Sequence, residues 1–194
     1  MRILVVSAHP VETSFVASLH HHSVSVLRRA GHDVDDCDLY AEGFDPVMRR
    51  AERLAYHDVA SDRAEIDGYL GRIRDAQALL FVHPVWNFGM PAILKGFLDR
   101  LFVPGVAFAI DESGRLAPKL DHLVRYGAVC TYGASSLVAT LMGNPPKRFM
   151  QRGMRGYVGR ACPCSYLACH DMNRTTPESR AVFIRKVEAE LTRW

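Results

Sequence analysis

The chain has 194 residues, 48% apolar and 23% charged, enough for one sizeable core and short for two, so a single domain over 1–194 is expected. A formal charge of +3 spread along the sequence is too weak to point to nucleic acid or a membrane surface as partner. The opening apolar run Ile3 to Val6 is shorter than a signal-peptide core, and no stretch approaches the roughly 20 apolar residues of a spanning helix, which together point to the cytoplasm.

Ile3 to Val6 reads as a buried strand, followed by a polar turn and an amphipathic helix from Thr13 to Ala30, which Gly31 stops. His32 to Leu39 alternates and carries acids, as a peripheral strand does. Residues 41 to 75 are charged and helix-prone, with Pro46 as punctuation. Gln77 to His83 returns as a buried strand, and Pro91 opens a helix to about Phe102 whose wide apolar stripe suggests a second buried face, expected to be a dimer interface. After an excursion from Val103 to Pro118 come a fourth strand, about His122 to Cys130, and a fifth, Arg160 to Cys169. The last helix begins near Thr175-Thr176-Pro177-Glu178, with Glu178 three residues after Thr175 as in a capping box. Strands alternating with helices imply an α/β fold, a doubly wound five-stranded parallel sheet with helices on both faces.

In such a sheet, ligands bind at the carboxyl ends of the strands near the switch in strand order. Three loops follow strands one, three and four: Ala8 to Phe15, Pro84 to Gly89, and Thr131 to Ser136. The first ends in Thr13 and Ser14 at a helix start, whose free backbone N–H groups favour phosphate. The second is aromatic-rich and suits a flat ligand such as a flavin. A G-x-G-x-x-G fingerprint is absent, which argues against the ordinary dinucleotide reading.

The segments Ala8-His9-Pro10…Thr13-Ser14-Phe15, Asp38-Leu39-Tyr40…Phe44-Asp45-Pro46-Val47 and Pro84…Phe88-Gly89-Met90-Pro91-Ala92-Ile93-Leu94-Lys95-Gly96-Phe97 resemble the flavodoxin-like NAD(P)H:quinone oxidoreductase family. The likeness runs over roughly residues 2 to 135. It implies a flavodoxin-like fold, bound FAD or FMN, a homodimer formed through the 91–102 helix region, and two-electron reduction of a quinone-like acceptor (quinone, azo or nitro compound) by NADH or NADPH. By position, His9, Ser14, Phe15 and Val16 would meet the flavin phosphate. Pro84, Val85, Trp86, Asn87 and Phe88 would line the isoalloxazine, and Thr131, Tyr132, Gly133 and Ala134 would hold its pyrimidine edge. The chain departs from the family's pattern at Tyr132-Gly133-Ala134, at Asn87, where a tryptophan is common, and at Ala139, where a proton-moving tyrosine is usual.

Two other functions fit the same resemblance: a flavodoxin-type electron carrier, and a regulatory subunit of a membrane potassium efflux system. Carriers are usually strongly acidic, unlike this chain. Lys147, Arg148, Arg152, Arg155 and Arg160 form a run without acids, commonly a solvated surface and otherwise able to meet the 2′-phosphate of NADPH. His20-His21-His22 point about 100° apart on a helix and cannot chelate one metal together. The five cysteines are expected to be reduced, and Cys162-Pro163-Cys164 has neither redox nor zinc spacing.

Overall fold

In a computed structural model that describes residues 1–58 and 63–194, five parallel strands form one sheet in the order β2-β1-β3-β6-β7. They are β1 (Arg2–Ser7), β2 (Asp33–Asp38), β3 (Ala78–Val85), β6 (Arg125–Tyr132) and β7 (Cys164–Cys169). The order turns back at β1 and β3, so the switch point lies between their carboxyl ends.

Each central strand is apolar on both faces because helices cover both. Leu4, Val6, Leu79 and Phe81 face α3 (Asp67–Asp75) and α4 (Ala92–Leu101), whereas Ile3, Val5, Leu80 and Val82 face α1 (Phe15–Arg29) and α8 (Pro177–Leu191). β2 tolerates its acids because it lies at the sheet edge. Arg72 of α3 reaches across to Asp35 at 2.7 Å and Glu42 at 2.8 Å, and His20 of α1 meets Asp36 at 2.6 Å. That hydrogen bond explains why one histidine of the triplet is buried, while His22 turns to Glu188 at 3.8 Å.

Several boundaries differ from the expected ones, each for a local reason. Helix α1 starts at Phe15 because Ser14, not Thr13, is its cap, with the Ala17 N–H donating to Ser14 Oγ at 3.1 Å. Helix α8 is capped by Thr176, whose box partner is Ser179, so Glu178 falls one position short of that role. The charged stretch after Pro46 divides into α2 (Arg50–Leu54), a 3₁₀ turn (Ala64–Ile66) and α3. The excursion after Val103 contains a short antiparallel hairpin, β4 (Phe108–Ile110) with β5 (Leu116–Pro118), and β6 is followed by α5 (Ser136–Leu141), α6 (Pro145–Arg148), a π-helical turn (Phe149–Gly153) and α7 (Arg155–Val158).

Helix α4 buries its whole apolar stripe within the chain, leaving Ala92, Lys95 and Asp99 on the outside. Its second buried face packs on the turn that precedes α2. A Cβ at Gly96 would sit 2.2 Å from the Pro46 carbonyl oxygen, so only glycine permits this approach. Arg100, 4% exposed, completes the contact by donating to Glu52, Glu65 and the Asp45 carbonyl at 2.8, 3.2 and 2.6 Å.

Candidate active site

The loops after β1, β3 and β6 meet at the switch point around a crevice of about 610 Å³. His9, Ser14, Phe15, Val16, Pro84, Val85, Trp86, Asn87, Thr131 and Gly133 line it, together with Met172. Phe88, Tyr132 and Ala134 stand outside this lining. Tyr132 turns into the core instead, 1% exposed, where its hydroxyl donates to Asn144 Oδ1 at 2.7 Å and its ring stacks on His170 at 4.6 Å. Ala134 uses its carbonyl to accept the Asp171 N–H at 3.1 Å.

That last bond ties the β6 loop to the loop after β7 and brings Met172 to the crevice. The segment Asp171 to Arg174, between the last strand and the last helix, carries no motif that marks a ligand contact. The available signal was position alone, since this loop also follows the carboxyl end of a strand.

The first loop is fixed by its own backbone: the Ala8 N–H donates to the Val82 carbonyl at 3.0 Å, and the Ser14 N–H to that of Val11 at 3.1 Å. The Val11 N–H donates to His9 Nδ1 at 3.0 Å. In the neutral ring this places the imidazole proton on Nε2 and leaves that atom as a donor.

The β3 loop is a two-residue turn closed by Trp86 and Gly89, with Asn87 at φ 50° and Phe88 at φ 58°. Both central residues lie in the left-handed region, as a type I′ turn requires. Such strain in a non-glycine pair is characteristic of places where a loop must present specific groups. Trp86 is 43% exposed and its ring lies 5.8 Å from that of His9.

A second cavity of about 670 Å³ begins at Gly89 and Met90, so the turn forms a wall common to both spaces. Its lining is aromatic and apolar (Tyr56, Phe102, Phe149, Tyr157, Met48, Leu98) with Arg53, Lys95 and Asp99 among it. Burial raises the Tyr157 hydroxyl above the usual phenol range, so it is protonated at neutral pH.

Three residues of the basic run do not reach the crevice, whereas Lys147 lies close enough to His170, just past the carboxyl end of β7, to add to the lowering of its pKa by burial. Arg152, Arg155 and Arg160 gather near Cys164, where β7 begins, and the six-residue strand puts about 20 Å between them and the carboxyl ends. Within one chain they therefore cannot meet a 2′-phosphate placed at the crevice.

This geometry agrees with comparisons to known proteins. A family described as having a flavodoxin-like fold matches residues 1–185. The chain belongs to this family. Among curated relatives, human ribosyldihydronicotinamide dehydrogenase [quinone] is 30% identical over 81% of this chain and 77% of its own length. The chain spans only 63% and 45% of the length of two other curated relatives it matches. Among solved structures, Smu.1420 from Streptococcus mutans UA159 aligns with a TM-score of 0.86 at 28% identity, covering 100% of both chains. An FMN-dependent NADH-azoreductase from Bacillus anthracis, solved in complex with FMN, shares the fold at a TM-score of 0.76 and 17% identity over 99% and 98% of the two chains.

Open sheets of this strand order bind ligands, flavin mononucleotide among them, in the crevice at the switch point, and the residues present here fit a flavin. The crevice volume lies in the range of cofactor sites, its base is a 15-residue helix N-terminus, and Gly133 opens directly into it with nothing within 4 Å of a Cβ built there.

Proposed function

We propose that the chain is a flavin-dependent NAD(P)H oxidoreductase that carries two electrons from NADH or NADPH to a quinone, azo or nitro compound. The observation that carries this reading is the pairing of a phosphate-suited crevice with an aromatic cavity across one strained turn. The quinone in the name of the human relative supports the acceptor class. A bound flavin, FMN or FAD, supplies the hydride chemistry.

The chain's own residues bind and orient. His9 Nε2–H and the backbone N–H groups at the start of α1 hold the phosphate, with Ser14 already occupied as the helix cap. Val85, Trp86 and Asn87 on one loop and Thr131 and Gly133 on another would hold the isoalloxazine between them. Backbone N–H groups of these loops would stabilise negative charge on a ring bound there. The planar acceptor enters from the aromatic cavity, where Tyr56 and Tyr157 offer hydroxyls to its oxygens. With Ala139 in place of the family's tyrosine, protons reach the acceptor from water at the open mouth rather than from a side chain of the crevice.

The same reading takes the protein as a cytoplasmic homodimer. All five cysteines are free thiols, as a reducing compartment maintains them. Among the described residues no helix is long and apolar enough to cross a membrane. Exposed Leu137 and Leu141 on α5, with Met142 at its end, add an apolar face for the second copy to the 91–102 helix region.

The test is the visible spectrum of purified protein mixed with FMN or FAD, before and after anaerobic NADPH and then a benzoquinone. Bleaching by NADPH and recovery with quinone are expected, and absence of flavin uptake by the folded protein overturns the reading.

A further inference from the structure

No Asp or Glu occurs between Asp121 and Asp171, a stretch that carries Arg152, Arg155 and Arg160. These three come from the π-helical turn, the first residue of α7 and the loop before β7, and all are exposed. Together they line two adjoining grooves of about 500 and 490 Å³ at the amino ends of the strands. The chain's most buried arginines are neutralised, Arg72 by Asp35 and Glu42 and Arg100 by Glu52 and Glu65. Among the described residues no such carboxylate partner serves Arg152, Arg155 or Arg160.

The grooves are also kept open and free of internal negative charge. A Cβ on Gly159 would meet nothing within 4 Å, and one on Gly156 only Leu116 Cδ1 at 3.9 Å. Cys162 and Cys164 border one groove, and burial raises both thiols, so neither becomes a thiolate that would compete for the guanidinium groups. Three planar, permanently charged forks around a polar hollow match the oxygens of a phosphate chain better than a single carboxylate, because each fork can bind two oxygens at once.

We propose that Arg152, Arg155 and Arg160 form a second ligand site, separate from the crevice, for a small molecule carrying a diphosphate group. The site lies one strand length from the crevice, so its occupation leaves the crevice loops in place.

Calorimetric titration of the purified protein with inorganic pyrophosphate tests this, alongside Arg155→Gln, the triple Arg152→Gln/Arg155→Gln/Arg160→Gln variant, and His9→Ala. A saturable event is expected that is weakened at least tenfold by Arg155→Gln, lost in the triple variant and unchanged in His9→Ala, any separate event that His9→Ala removes belonging to the crevice. Near-UV circular dichroism identical to wild type shows that the exposed substitutions leave the fold intact. Loss of binding in His9→Ala with retention in the triple variant assigns pyrophosphate to the crevice and overturns the proposal, as does absence of saturable binding. A short single-stranded RNA that binds through the same arginines while pyrophosphate fails to displace it also overturns it, in favour of a macromolecular polyanion.

Discussion

Trp86 and Gly89 exchange two backbone hydrogen bonds, 3.1 Å from the Trp86 N–H and 2.8 Å from the Gly89 N–H, across Asn87 and Phe88. This closure holds both central residues at positive φ and sets where the β3 loop presents its groups to the crevice on one side and the aromatic cavity on the other. Valine, branched at Cβ, resists the left-handed region more strongly than asparagine does. Asn87→Val is therefore expected to cost about 1–2 kcal/mol of stability and to reduce FMN affinity at least tenfold by displacing Trp86. Asn87→Gly is expected to keep both. Urea unfolding paired with a flavin titration reads the two effects, and wild-type affinity in Asn87→Val would remove the turn from the site.

Gly133 opens into the crevice without contacting protein. A leucine there fills ligand space and disturbs nothing in the fold, so Gly133→Leu is expected to leave the urea midpoint within about 0.5 kcal/mol of wild type and to weaken FMN binding about tenfold or more. Undiminished binding would place the flavin elsewhere.

Gly96 shows the opposite situation, because a methyl group there collides with Pro46 backbone at 2.2 Å. Neither α4 nor the Pro46 turn can retreat easily, since Arg100 is bonded to the Asp45 carbonyl at 2.6 Å. Gly96→Ala is expected to destabilise the chain by about 3 kcal/mol, the upper part of the range for overpacking, despite alanine's better helix propensity. A denaturation curve measures it directly.

The parallel, doubly wound sheet was legible because the chain's buried strands are apolar on both faces and separated by helix-length segments, which requires right-handed crossovers. The three loops of the crevice were legible for the same reason: their positions follow from strand ends. Side-chain direction within those loops was not. Tyr132 and Phe88 are large and adjacent to lining residues, yet Tyr132 turns inward because Asn144, Tyr166 and His170 offer its ring and hydroxyl half-buried partners that are distant in sequence. Phe88 swings out of the lining because the turn inverts the backbone there. The β4–β5 hairpin escaped notice because three-residue strands leave almost no alternation to read. The two-sided burial of α4 was read as a partner's face, since nothing local announces that the Pro46 turn will pack against Gly96.

His83 lies fully buried on β3 beneath the crevice loop, with Nδ1 2.8 Å from the Pro84 carbonyl and Nε2 buried without a hydrogen-bond partner. The carbonyl accepts from Nδ1–H, so the neutral ring has an unprotonated Nε2 in an apolar setting, and burial pushes the imidazole down to about 4. The unfolded chain takes up this proton near pH 6.5, well before the native state does. The stability from a neutral His83 is thus complete above about pH 6.5 and is lost progressively as pH falls towards 4, amounting to about 3 kcal/mol over that window. Asp36, held below the usual carboxylate range by its hydrogen bond to His20, contributes at lower pH, whereas His32 and His170, which burial also lowers, add to the slope in this window in the wild type and in any His83 variant alike. Urea midpoints measured between pH 7 and pH 4 are expected to fall steeply in the wild type and to flatten in His83→Gln, which cannot take up the proton. Equal slopes for the two proteins would mean that His83 is protonated in the native state and that its Nε2 has found water or an acceptor through an opened β3 loop.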